Sequence, residues 1–196
     1  MSIVSSVMAS VVFFLLVYIG FWGPTDPQNN LLPLTIWTVW WIGLFVVQGA
    51  IMDLWRWVNP WTGFVHLMEL GKVPIIRLPK KWEAWPALVV FMFFQFFMLA
   101  DISPNDPQRL ATVVLSYWVF TAIGISVCGQ QSWLQQVECF TVMFNLISKL
   151  RPIHLDKTIE IGLPGWKILR QLRLDLSRAV FCLLILAAGS FDGLHE

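Results

Sequence analysis

The sequence predicts an all-α, polytopic transmembrane helix bundle of about five membrane helices, with amphipathic helices in the membrane interface. Three observations carry that reading. The 196 residues are 57% hydrophobic and only 13% charged, against roughly 45–50% and about 25% in soluble domains, so the chain lacks the polar surface to cover a soluble globule. The charges leave long uninterrupted gaps, and the basic residues gather on one side of those gaps. The same composition excludes a disordered chain, and three cysteines do not make a disulfide framework. A net charge of +1 lacks the basic excess that nucleic-acid binding requires.

A helix rising about 1.5 Å per residue needs roughly 20 apolar residues to cross a hydrocarbon core about 30 Å thick. Residues 1–25, 27–52 and 110–137 carry no charge, and each predicts a full span. Residues 84–100 form a shorter window of 17, flanked by Trp82 and Trp85 at one end and Asp101 at the other, and predict a fourth span. The last window, Ala179 to Phe191, holds 13 residues and reads as the start of a further, incomplete helix over 179–196. A cleaved signal peptide fits the first window poorly, because its start has no Lys or Arg and its apolar stretch is too long.

Orientation follows from the basic residues, which collect on the cytoplasmic side of membrane proteins. Twelve of the thirteen fall in the stretches 53–83 and 130–178, and only Arg109 lies in the other loops. The sequence therefore predicts a cytoplasmic N-terminus, in a bacterial inner membrane.

The two outward loops share a tripeptide, Asp26-Pro27-Gln28 and Asp106-Pro107-Gln108, at an offset of 80 residues. Asp as N-cap and Pro in the first turn suit any helix start. Yet the same offset also pairs Val39 with Val119, Val47 with Val127, Gly49 with Gly129, Leu54 with Leu134, Phe64 with Phe144 and Leu70 with Leu150. The single transmembrane domain 1–196 thus reads as two repeats, 1–80 and 81–160, each a helix hairpin followed by an inner stretch. Both inner stretches mix aromatics with scattered polar residues, so they are expected to lie flat among the lipid headgroups.

Within the four predicted spans no Asp, Glu, Lys, Arg or His occurs, which weighs against proton or ion transport and leaves no haem or chlorin ligand at mid-membrane. Gln48 and Gln95 are the strongest hydrogen-bonding side chains there and read as interhelical glue. Trp37, Trp40 and Trp41, spaced i, i+3, i+4, line one stripe of the second span and read as a packing face. Trp22, Trp55, Trp57, Trp61, Trp82, Trp85 and Trp133 fall at predicted boundaries and read as interfacial anchors. Asp192, His195 and Glu196 have a spacing that would suit a divalent metal if helical, with an ordinary helix end as the simpler reading. His66 with Glu69, and His154 with Asp156, read as solvated polar pairs. Cys128, Cys139 and Cys182 have no metal spacing and read as small apolar fillers.

The runs DPQNNLLPLTIWTVWWIGLFVVQGAIMDLWRWVNPWTG, WPALVVFMFFQFFML, DPQRLATVVLSYWVF and LSRAVFCLLILAAGSFDGLHE resemble the bacterial polytopic membrane proteins of the fenitrothion hydrolase-like type. The resemblance touches most of the chain, and its specific parts are the WW-G, DLWR-NPW and SFDGLHE blocks. It implies a longer protein with further helices, and organophosphate ester hydrolysis by a membrane-embedded hydrolase subunit. It assigns no catalytic residue here. Such hydrolysis normally uses a metal-activated water, and three dispersed His do not supply its ligands. The leading expectation is therefore a noncatalytic structural or accessory subunit of a larger membrane complex, respiratory or photosynthetic, with lipid and other membrane subunits as partners. The hydrolase subunit is the alternative.

Overall fold

The computed structural model describes residues 2–71, 73–155, 159–169 and 175–192. They form an all-α bundle with one small antiparallel ribbon, β1 (Ile153–Leu155) and β2 (Ile159–Ile161). Three helices are long and apolar enough to cross a membrane: α1 (Ser2–Trp22), α2 (Leu31–Ala50) and α6 (Pro107–Cys128). A shorter apolar helix, α5 (Trp85–Ala100), fills the predicted fourth span, and α10 (Leu176–Asp192) starts slightly before the predicted last one.

Local chemistry sets these ends. The turn into α2 is latched by buried Asn30, whose carbonyl accepts from the Leu32 amide at 2.9 Å while its amide donates to the Pro24 and Ile19 carbonyls at 2.8 and 3.1 Å. Asp106 caps α6 by accepting from the Arg109 amide at 2.8 Å, with Pro107 in the first turn as the tripeptide predicted. At its other end α6 stops at Gly129, whose φ of 84° suits a residue without Cβ. The charge-free window 110–137 is therefore not one helix. It contains most of α6 and then a reversal into α7 (Gln130–Gln136).

The inner stretches depart most from expectation. After α2 come α3 (Trp55–Val58) and α4 (Pro60–Leu67), and after α6 come α7 and α8 (Cys139–Ser148). Neither pair lies flat at the bundle's end. Trp61 of α4 donates its indole N–H to the Trp118 carbonyl at 3.3 Å, about halfway along α6. Along α8 the side chains of Cys139, Phe140, Val142, Met143, Phe144, Leu146 and Ile147 are all buried. Each pair is a short hairpin folded back into the bundle, because its aromatic side chains find more apolar surface there than at a headgroup layer.

The pairs also cross between the two predicted repeats. Besides packing on α1, α4 touches α6, and α8 packs on the end of α2 as well as on α5. Offset by 80 residues, α4 falls within α8, so each half begins a long helix after an Asp-Pro-Gln loop and ends in a folded-back half-helix.

Candidate functional site

The first turns of the two half-helices meet. Asn59 caps α4, accepting from the Trp61 and Thr62 amides at 3.0 and 3.4 Å. Glu138 caps α8, accepting from the Phe140 and Thr141 amides at 3.0 and 2.6 Å. Thr141 joins them: its hydroxyl oxygen accepts from the Asn59 side-chain amide at 3.3 Å and from the Trp55 indole at 2.9 Å. Helix N-termini carry unpaired amides and partial positive charge, so an acceptor at each is what the geometry demands.

Glu138 is fully buried. Its Oε1 also accepts from the Tyr117 hydroxyl at 2.5 Å, and that hydroxyl lies 3.4 Å from the Cys139 sulfur. Tyr117 is near the middle of the 22-residue α6, about 15 Å from either end at the helical rise. Sequence reasoning used Glu138 as the end of a span; the structure places it level with the span's centre. The available signal was an acidic residue directly ahead of an apolar run, since Asp and Glu gather at the first turn of helices.

On the far side of this junction, α4 lies close against α1. The Ser6 hydroxyl donates to the Asn59 carbonyl at 2.5 Å and accepts from the Gly63 amide at 2.6 Å, and Ser10 donates to the Pro60 carbonyl at 2.5 Å. A Cβ on Gly63 would meet the Val7 nitrogen at 2.5 Å, so glycine permits the approach, as small residues do between membrane helices.

Of the predicted packing residues, Gln48 is the glue expected, but for the half-helices. Its amide donates to Asp53 at 2.7 Å and to the Phe144 carbonyl at 3.1 Å, and its carbonyl accepts from the Trp55 amide at 2.9 Å. Gln95 is buried, with neither amide atom hydrogen-bonded. Trp37, Trp40 and Trp41 all pack against the core, with Trp40 stacked on Trp41 at a ring distance of 6.2 Å. Residues Thr35–Leu44 wind as a π-helix, whose wider turn realigns side chains set i, i+3, i+4 on an α-helix. Trp37 and Trp41 flank Phe94 of α5, at ring distances of 6.4 and 5.3 Å, while Trp40 sits edge-on to Phe140 of α8 at 4.5 Å.

The anchor reading also needs correction for some tryptophans. Trp55, Trp61 and Trp133 are at most 9% exposed, whereas Trp22 is 71% exposed and fits the interfacial role. Trp133 lies over Gly124, where a Cβ would collide with its indole. Among the described residues no three His, Cys, Asp or Glu gather as metal ligands. Asp192 ends α10, but its side chain and all of His195 and Glu196 lie outside the described residues, as do the side chains of His154 and Asp156.

Beside the junction, α1, α2, α5 and α6 enclose a cavity of about 1060 Å³, open along one side. Its wall is almost wholly apolar and includes Phe13, Trp40, Trp55, Trp61, Tyr117 and Phe140. At the bundle end where α6 finishes, the Ile75 and Ile76 amides bond to the Val127 carbonyl, and half-buried Lys149 is lowered below the usual lysine range by burial and by the Arg178 guanidinium nearby.

The chain matches no family model, no curated protein and no solved structure.

Proposed function

We propose that this chain is a noncatalytic helical subunit of a larger membrane assembly, seated in a bacterial inner membrane with its N-terminus in the cytoplasm. One observation supports the noncatalytic part above the others. Glu138, the ionisable group at the centre of the bundle, already accepts from two backbone amides and a phenol, and so serves as a helix cap rather than as a free general base. Asn59 likewise caps α4 and joins it to α8, and Gln48 holds α8 to the end of α2. Charge placement supports the orientation. The loop carrying Arg77, Lys80 and Lys81 is tied to the ends of α6 and α10 through Val127 and Ser177, while Arg109 pairs with Asp101 at 3.3 Å at the opposite end.

Extraction in a mild detergent followed by native mass measurement tests the reading. The expected result is a complex containing other membrane polypeptides in fixed ratio. A chain that isolates alone and hydrolyses fenitrothion would establish the alternative implied by the sequence resemblance. Reporters fused after Asp106 and after Lys157 should read outside and inside respectively, and the reverse pattern would overturn the orientation.

A further inference from the structure

We propose that the side-open cavity between α1, α2, α5 and α6 binds a lipophile whose apolar body carries a hydroxyl head, such as an alkylated phenol or hydroquinone, with that hydroxyl donating to the Tyr117 oxygen. The inference rests on the membrane placement of the three long helices and is independent of the subunit reading.

Size and access define the body of the ligand. The volume, about 1060 Å³, is just above the range of roughly 300–1,000 Å³ typical of small-molecule sites, ample for a long-tailed ligand. The lining runs from Ser5 to Leu16 on α1 and from Leu110 to Phe120 on α6, about 15 Å at the helical rise and half of a hydrocarbon core about 30 Å thick. Met8, Val12, Val39 and Phe93 line the cavity and are themselves exposed, so it opens on the apolar flank of these helices. At that depth the medium is hydrocarbon, so the entering molecule must itself dissolve in lipid.

The head follows from the hydrogen bonds at the wall. Trp61 and Phe140 pack on Tyr117, with Trp40 and Trp55 also in the cavity wall, and aromatic rings favour offset or edge-on contact with another ring. The Tyr117 proton is committed to Glu138, so the Cys139 thiol 3.4 Å away donates to the phenol oxygen, whose second lone pair is left to accept from a ligand. A ligand that donates at this point is matched, and one that only accepts is not. Glu138 positions Tyr117 and is itself held by the α8 amides, so the acceptor is fixed by the same junction that folds the half-helices.

The test uses the full chain in lipid nanodiscs, with dodecylhydroquinone and its dimethyl ether as probes and quenching of tryptophan fluorescence as readout. The hydroquinone should quench saturably and bind roughly three- to tenfold more tightly than the ether, the range one hydrogen bond gives. Tyr117→Phe should abolish that difference while leaving ether binding unchanged. Val113→Phe, which fills the cavity without touching the junction, should weaken both probes. Quenching that never saturates, equal binding of the two probes, or Val113→Phe without effect would overturn the proposal. So would a polypeptide from a co-purifying subunit cross-linking to a cysteine placed at Val39, since a helix would then occupy the opening.

Discussion

The two folded-back half-helices solve one problem with different chemistry. In the first, a neutral amide, Asn59, caps α4, and the hydroxyls of Ser6 and Ser10 draw its backbone onto α1. In the second, a carboxylate, Glu138, caps α8, and a single phenol on α6 completes its shell. Around α4 the packing is polar and close, with Gly63 against Ser6; around α8 it is aromatic, with Phe140 and Phe144 wedged against Trp40. The difference teaches that the requirement is an acceptor at each N-terminus, and that a carboxyl group is tolerated there only where enough donors converge, since an unpaired buried polar group is expensive.

Substitutions at the two caps separate these cases. Glu138→Ala strips the acceptor from two amides and a phenol at once, and should be the largest single loss, about 3–5 kcal/mol, because each stranded buried donor costs roughly 1–3 kcal/mol. It is checked by reversible unfolding in mixed micelles. Gly124→Ala drives a methyl into the Trp133 indole and should cost about 1–3 kcal/mol as an overpacked contact, read in the same assay. Asn59→Ala should cost less than Glu138→Ala, about 1–2 kcal/mol for a lost cap, because the Asn59 carbonyl still receives Ser6. Tyr117→Phe removes one of three donors to Glu138 and should cost about 1 kcal/mol. If Asn59→Ala proved worse than Glu138→Ala, the contrast drawn between the caps would be reversed.

Much of the bundle was legible in the sequence because a long charge-free apolar window has little use outside a membrane. The windows 1–25, 27–52 and 84–100 each hold one membrane-length or shorter apolar helix, and the Asp106-Pro107 start is capped as written. The half-helices were harder to see. A short segment that folds back into a bundle and one that lies flat at an interface both need aromatic residues mixed with polar ones, and composition does not separate them. Trp55 and Trp61 therefore read as anchors, although their indoles donate inside the bundle to Thr141 and Trp118. The telling marks were small: Gly129 interrupting the window, Gly124 making room for Trp133, and Pro60 following a capping Asn59. The π-winding of Thr35–Leu44 left no such mark in the sequence, although Trp37, Trp40 and Trp41 pack inward as the sequence suggested.

The meeting of the two half-helix N-termini inside the bundle is what the rest depends on, and a cysteine pair measures it directly. With Cys128, Cys139 and Cys182 replaced by alanine, Asn59→Cys and Thr141→Cys should be bridged in native membranes by a short membrane-permeant bis-methanethiosulfonate, because the native Asn59 Nδ2 and Thr141 Oγ1 are 3.3 Å apart. Neither cysteine alone should react with a membrane-impermeant maleimide applied to either face. Failure to cross-link, with both positions labelled from the cytoplasmic face, would place the half-helices flat at the surface and contradict the account.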